Sequence, residues 1–226
     1  MKASSAVPRG VESEPPGPSV QEPRRATDEL EVRGPELILR YALPEDAEPL
    51  FRLASDPEVT RYFSWGPYRH VSQAADYIRS LERKRLEGER LEFLVVHRDR
   101  GLVGVTGLSE FSLRDRRAVV GTWHGREWWG TGANQQSKAL ILALAFRGLS
   151  LDRVTAWCGA DNGRSRTALE RLGFVNEGVL RRWHVHDGEP NDVISYSMLG
   201  EEYRASELAH APVEIAGRIP RQFLLP

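Results

Sequence analysis

The segment that most restricts the fold of this 226-residue chain is an apolar helix candidate from about Thr131 to Arg147. Its second half, ALILALAF, is apolar nearly all round, so no side of it is suited to face water. Such a helix must lie between a sheet and another element. The chain length fits one α/β domain with extensions built around this helix.

Strand candidates flank the helix in a definite order. Before it, short turn signals separate LEFLVVHR, LVGVTGLSEF and AVVGTWH, which indicates an antiparallel meander. The order βααβββαβαββ predicts a mixed α/β fold with a central, mostly antiparallel twisted sheet of about seven strands and helices on both faces. The other predicted elements are a strand at Glu36, a helix after Pro44, a helix from Ser72 to about Glu87, the strand RVTAWCG, a helix between Asn162 and Leu172, two strands joined by Asp187-Gly188, and a helix from Glu201 to His210.

Both ends of the chain differ in composition from this central part. Residues 1–34 are rich in Pro, Arg and Glu and cannot bury enough apolar area to offset their ordering entropy. We therefore predict a disordered arm over residues 1–34, a folded domain over 35–205 and a tail over 206–226. The tail ends in RIPRQFLLP, whose apolar side chains need a covering surface on this chain or on a neighbour.

Composition argues against several classes of function. The single cysteine, Cys158, rules out an internal disulfide and a Cys-rich metal cluster. The formal net charge of −1 argues against nonspecific nucleic-acid binding. No apolar run approaches the roughly 20 residues that span a bilayer, and the first residues do not form a secretory signal. We expect a cytoplasmic protein without a metal, a nucleic-acid partner or a membrane partner, as a monomer or homodimer.

The turn before the apolar helix is typical of a phosphate-binding site. In WHGREWWGTGAN a strand ends near His124, and Gly130-Thr131-Gly132 leads directly into the helix. The first N–H groups of a helix lack partners within it and lie at the positive end of its dipole. The glycines let a pyrophosphate approach the backbone. Neither the Gly-Lys-Ser/Thr of a Walker loop nor a third Rossmann glycine, due at Gln135, is present.

From about Glu36 to Tyr203 the chain resembles the GCN5-related N-acetyltransferase (GNAT) superfamily, in the branch typified by ribosomal-protein alanine acetyltransferases. Four segments carry the resemblance in the expected order: WWGTGANQQSKALILALAF, LDRVTAW, DNGRSRTALERLGFVNEGVLRR and DGEPNDVISYSML. The resemblance implies the GNAT fold and an acetyl-CoA-dependent N-acetyltransferase. In such an enzyme an amine attacks the acetyl thioester directly within a ternary complex.

The resemblance also implies which residues bind acetyl-CoA. The family pattern Gln/Arg-x-x-Gly-x-Gly/Ala falls on residues 127–132, with Glu127 in place of the usual first residue. The strand end at Trp123 and His124 would pair with the pantetheine arm, residues 154–159 would form the other wall, and Asn162 would fix the pantetheine. The pyrophosphate would be held by the backbone N–H groups of Trp129, Gly130, Thr131, Gly132, Ala133 and Asn134.

Ser165 and His184 are the predicted catalytic residues. Asn162 and Ser165 match the family's Asn-x-x-Ser, which implies that Ser165 is the general acid toward the departing thiolate. These two residues also suit the cap and first turn of a helix. His184 occupies a position where some relatives carry a glutamate, and it is the first candidate for the base that accepts the proton of the amine.

Strand alternation and the neighbouring residues bear on these catalytic assignments. In RRWHVH, strand alternation puts His184 on a face with Arg182 and His186, away from Trp183 and Val185. His124 and Glu177 are reserve candidates for the base. Cys158, flanked by apolar residues on its strand face, is expected to be a small buried hydrophobe and not a nucleophile.

The resemblance places the acceptor amine under the aromatic segment TRYFSWGPYRH, where Tyr62, Trp65 and Tyr68 are the predicted substrate-binding residues. Phe63 is expected to pack between helix and sheet. A small-molecule amine is favoured over the α-amine of a protein such as a ribosomal protein, because the near-neutral charge does not favour a basic partner. A CoA-binding module without catalysis is the alternative from another class.

Overall fold

The computed structural model describes residues 29–186 and 188–225, so most of the predicted arm lies outside the described residues. Nine strands form one sheet in the order β7-β8-β6-β5-β4-β3-β2-β1-β9. The strands are β1 (Glu31–Arg33), β2 (Leu37–Arg40), β3 (Arg90–His97), β4 (Gly101–Ser112), β5 (Arg117–His124), β6 (Arg153–Gly159), β7 (Val175–His186), β8 (Glu189–Leu199) and β9 (Glu214–Ala216).

Helices cover both faces of the sheet, as predicted. The helices are α1 (Ala47–Ala54), α2 (Pro57–Thr60), α3 (Val71–Leu86), α4 (Ala133–Ala143), α5 (Gly163–Arg171) and α6 (Gly200–Ala205). Buried residues of α1 and α3, such as Leu50 and Ile78, pack with Val105 of β4 on one face. Residues of α4 and α5, such as Ile141 and Leu169, belong to the larger core on the other face.

The predicted burial of α4 is confirmed. All its residues from Ser137 to Ala143 are buried, and it continues as a π-helical turn over Leu144–Gly148. Within that turn, Phe146 stacks on Tyr203 of α6 with 4.8 Å between ring centroids. The C-terminal part of the chain therefore helps to cover the outer side of this helix. None of the helices in the described ranges is long and apolar enough to cross a membrane.

The sheet has nine strands where seven were predicted. Both additional strands lie in segments that composition had assigned to the arm and the tail. β1 pairs antiparallel with β2 and with β9. Backbone hydrogen bonds therefore order these residues, although their side chains show little of the pattern that indicates a strand. The apolar C-terminus is covered by this chain itself, because Phe223 is fully buried and its ring centroid lies 4.7 Å from that of Phe111.

Two helices also differ from the prediction. Helix α2, which was not predicted, leads into the aromatic segment; it begins at Pro57 after Asp56, whose carboxylate accepts from the N–H of Glu58 at 2.8 Å. Helix α3 begins before Ser72, and its N-cap is His70. The side chain of Gln73 folds back to accept from the His70 N–H at 3.1 Å, which supplies the cap that a serine was expected to provide.

The feature that positions the site is an opening between the two parallel strands. All neighbouring strands pair antiparallel except β5 and β6. These two pair only at residues 117–119 and 153–155, whereas β5 runs on to His124 and β6 to Gly159. We call the space between residues 120–124 and 156–159 the β5–β6 gap. Along the chain, β5 leads to the start of α4, and β6 leads to the start of α5.

Candidate active site

One wall of the β5–β6 gap is the free backbone edge of β5. Gly125 N–H donates to Val103 O at 2.9 Å, and Trp123 lies opposite Val105. In an antiparallel pair, alternate residues turn their backbone groups toward the partner strand. Trp123 therefore faces β4, whereas Thr122 and His124 face the gap. The backbone of Trp123, predicted to pair with pantetheine, is thus directed toward β4, and that of Thr122 is directed toward the gap.

The side chain of His124 is buried below the sheet. It is 8% exposed, and its Nε2 lies 3.0 Å from Ser137 Oγ on α4. Burial lowers the pKa of His124 to about 3, and the positive charges of Lys138 and Arg164 act in the same direction. An imidazole with so low a pKa is a poor proton acceptor at neutral pH, which argues against the reserve role proposed for His124.

The turn before α4 forms an open cradle of backbone groups. Gly130 has φ +76° and Gly132 has φ +89°, and no atom lies within 4 Å of where a Cβ would stand on either. Gly132 is the N-cap of α4, so the following N–H groups point outward. Of the predicted cradle donors, Trp129 is already engaged, since its N–H donates to Arg126 O at 3.1 Å. Ala133 N–H makes a long bond of 3.4 Å to Thr131 Oγ1.

The indole of Trp129 connects the two walls of the gap. Its Nε1–H donates to His124 O at 3.1 Å on the β5 side. On the other side, the guanidinium carbon of Arg164, in the first turn of α5, lies 3.3 Å from the ring centroid of Trp129. Burial lowers the pKa of Arg164. A cation therefore stands beside the cradle, held against an aromatic face.

The first turn of α5 holds the predicted Asn-x-x-Ser. Asn162 is the N-cap, and its Oδ1 accepts from the Ser165 N–H at 3.1 Å, so the capping role is confirmed. The side chain of Ser165 acts on the thiol of Cys158 on β6 and favours its lower pKa, against the larger effect of burial. Cys158 is 6% exposed in the main core, and burial raises its pKa, as expected for a buried thiol that is not a nucleophile.

The aromatic segment spans the gap on the face opposite α4. Trp65 lies 5.5 Å from Trp123 and 5.4 Å from Tyr68, measured between ring centroids. Tyr62 reaches the other wall, where its Cδ1 lies 3.9 Å from the Cβ position of Gly159. Phe63 stacks on Trp65 at 5.1 Å. The three predicted substrate-binding residues thus lie in one segment that contacts the ends of both β5 and β6.

The strand that carries His184 is irregular, so the predicted alternation is wrong there. Arg182 has φ +53° and donates its N–H to Asp192 Oδ1 at 2.7 Å, and the register with β8 shifts between Leu180 and His184. As a result the rings of Trp183 and His184 both contact Trp157 of β6, at 5.4 and 6.4 Å between centroids. His184 is exposed and reaches the β6 wall through Trp157.

Glu177, the other reserve base, is already paired. Its carboxylate accepts two hydrogen bonds from Arg153, one of 2.7 Å and one still shorter, and a third from Ser197 Oγ at 2.9 Å. The hydrogen bond from Arg153 is the largest cause of the lowered pKa of Glu177. Arg153 stands where β5 and β6 still pair, so Glu177 is held at the closed end of the gap.

Comparison with known proteins decides the family. The model of the acetyltransferase (GNAT) domain matches residues 36–175. An uncharacterized N-acetyltransferase, p20 of Bacillus licheniformis, is 33% identical over 168 residues, which are 74% of this chain and 94% of that protein. This chain belongs to the GNAT family. Its GNAT fold and N-acetyltransferase class follow from that membership.

Solved GNAT structures share the fold. A structure of the microcin C7 self-immunity acetyltransferase MccE in complex with acetyl-CoA and AMP superposes with a TM-score of 0.67 at 21% identity, covering 74% of this chain and 93% of that one. A structure of RimL, a ribosomal L7/L12 alpha-N-protein acetyltransferase, in complex with coenzyme A gives 0.67 at 19% identity, covering 74% and 95%. At these identities the likeness concerns the GNAT fold alone.

Three residues beside the gap were missed from the sequence. The direction in which the Thr122 backbone faces follows from the register of β5 against β4, which the sequence of β5 alone does not reveal. Arg164 occupies one of the two variable positions of the Asn-x-x-Ser pattern, which specifies no residue there. The sequence does give a signal for Lys138, because it is the only charged residue of α4. In the structure it is only 5% exposed. A lysine in a helix predicted to be buried indicates a special environment.

Proposed function

We propose that this GNAT protein transfers the acetyl group of acetyl-CoA to a primary amine of a small molecule within a ternary complex. The observation that carries the proposal is the β5–β6 gap, whose free backbone edge leads to an unobstructed glycine cradle at the start of α4. When bound, acetyl-CoA supplies an activated thioester carbonyl, and the protein supplies positioning and proton transfer.

The residues at the gap fit acetyl-CoA. The cradle has room for phosphate at Gly130 and Gly132, and Arg164 adds a positive charge beside it. Thr122 and His124 present backbone groups to a pantetheine arm, although His124 O now accepts from Trp129 Nε1. Because a carbonyl oxygen has two lone pairs, His124 O retains the capacity to accept a second hydrogen bond, from a pantetheine amide. The MccE and RimL structures, which contain acetyl-CoA and coenzyme A, support the same ligand class.

Two side chains of the protein are assigned to the two proton transfers of the reaction. Ser165 Oγ, at the start of α5 beside Cys158, is assigned to donate a proton to the departing thiolate. His184 is assigned to accept the proton of the amine, and its position against Trp157 puts it on the β6 side of the gap. Glu177 is disfavoured because Arg153 and Ser197 already occupy its carboxylate.

Two observations favour a small amine as the acceptor. Trp65 and Tyr62 contact opposite walls of the gap, and their rings offer apolar faces to a compact ligand. The formal net charge of −1 gives a basic protein partner no long-range attraction. Among the GNAT neighbours, RimL is described as acting on a ribosomal protein, so the α-amine of a protein remains the competing acceptor class.

The test is thiol release from acetyl-CoA by the full-length protein, with a panel of small primary amines beside a panel of peptides with free N-termini. We expect thiol release with at least one small amine, and a product heavier by one acetyl group, with no release above background for the peptides. Release with peptides alone would assign the acceptor to the protein class. Binding of acetyl-CoA without release in either panel would support the CoA-binding module.

A further inference from the structure

A buried amine lies under the free edge of β5 and has no role in the function proposed above. Lys138 of α4 is 5% exposed, and its Nζ donates to Thr122 Oγ1 at 2.7 Å. Thr122 is a β5 residue whose backbone faces the β5–β6 gap. Its hydroxyl also lies 2.6 Å from Thr106 Oγ1, and Thr106 is fully buried.

The ammonium group of Lys138 has more N–H donors than the hydrogen bonds it makes in the described part of the chain. An ammonium has three N–H donors. In the described part of the chain, the one hydrogen bond recorded for Nζ is that to Thr122. Burial lowers the pKa of Lys138 to about 7, and within the described ranges no carboxylate opposes that effect. A buried cation with spare donors is unfavourable unless another acceptor approaches it.

The position of the amine identifies that acceptor. The spare donors of Lys138 stand next to Thr122, three residues beyond the last paired residue of β5, Val119. The pyrophosphate cradle lies at the other end of the same stretch, beyond His124. An acyl donor that runs from the cradle along the free edge of β5 brings its acyl end to the narrow part of the gap, beside Thr122.

We infer that Lys138 is an acyl-donor-binding residue, whose amine donates a hydrogen bond to the thioester carbonyl oxygen of the bound donor. This inference rests on the proposed function and names the contact by which the site recognises an acyl group. Lys138 therefore distinguishes a CoA thioester from a CoA derivative that lacks the carbonyl. A purely structural lysine, which only holds Thr122 in place, would affect both ligands equally.

The test compares two ligands by calorimetry with the full-length protein at pH 6.5, where the ammonium prevails. One ligand is acetyl-CoA, and the other is S-ethyl-CoA, a thioether in which CH2 replaces the carbonyl. We expect the wild type to bind acetyl-CoA about tenfold more tightly, the usual effect of a hydrogen bond from a charged donor. In Lys138→Met, which keeps the unbranched apolar stem but lacks the terminal amine, the two dissociation constants should agree within about twofold.

The controls separate the possible failures. Lys84→Met removes a lysine from α3, on the other face of the sheet, and should keep the wild-type ratio. A melting curve checks that Lys138→Met is folded, and Lys138→Leu replaces it if it is not. A ratio that stays near ten in the folded variant, or is near one in the wild type, overturns the inference while leaving acetyl-CoA binding intact. Absence of binding of both ligands to the wild type overturns the proposed function itself.

Discussion

Replacing Gly132 with aspartate is expected to raise the dissociation constant for acetyl-CoA about a hundredfold. Gly132 is the N-cap of α4 with φ +89°, and the space beside it is open. An aspartate there fills that space, adopts a strained left-handed backbone and brings a carboxylate to the phosphates. The filled space and the charge repulsion together amount to roughly 3 kcal/mol, or about two factors of ten in affinity. Calorimetry with the full-length protein measures the change.

The matched control is Gly132→Asn, which has nearly the same size and tolerates positive φ, but is neutral. It should weaken binding by about tenfold or less, so the difference between the two variants reports the charge of the ligand at the cradle. Equal losses in the two variants would show that sterics alone matter. Unchanged affinity in Gly132→Asp would mean that α4 does not bind the pyrophosphate.

Substitution of Ser165 with alanine is expected to lower kcat about a hundredfold while the dissociation constant for acetyl-CoA changes by less than about threefold. The bond from Ser165 N–H to Asn162 Oδ1 involves the backbone and survives the change, so α5 should keep its cap. What is lost is the hydroxyl beside Cys158, and a general acid typically contributes a factor of about 100 or more. Steady-state kinetics with the amine identified in the panel give kcat, and calorimetry gives the affinity.

Thr167→Ala is the control for Ser165→Ala, because Thr167 is exposed on the same helix and loses an equivalent hydroxyl. Its kcat should remain near the wild-type value. A parallel loss of kcat and cofactor affinity in Ser165→Ala would mean that the serine acts only in the structure of the α5 turn.

Local patterns predicted the parts of the fold that depend on burial and chain order. The apolar run in α4 required burial on all sides, and residues Ser137–Ala143 are buried as expected. The N-cap at Asn162 followed from side-chain chemistry alone. Strands β1 and β9 were missed because each has only three residues and is held by backbone pairing at one end of the sheet, which leaves almost no side-chain periodicity.

Two expectations at the site depended on strand register, which the sequence alone does not reveal. Whether Trp123 or Thr122 faces the gap depends on its partner in β4, and a shift of one residue reverses the answer. The face occupied by His184 changed because Arg182 interrupts the alternation of β7. The place of Lys138 under the free edge of β5 is shown by its hydrogen bond to Thr122, a contact that the sequence does not reveal.

The most direct test of acetyl-CoA binding in the β5–β6 gap is hydrogen–deuterium exchange of the full-length protein with and without saturating acetyl-CoA. Binding there should slow exchange in two segments, residues 120–134 and residues 156–166, which contain the β5 edge, the glycine cradle and both sides of the gap. Peptides from α3 serve as the internal reference and should exchange equally in both samples. Protection elsewhere in the chain, with residues 120–134 unchanged, would contradict the assignment of the gap as the acetyl-CoA site.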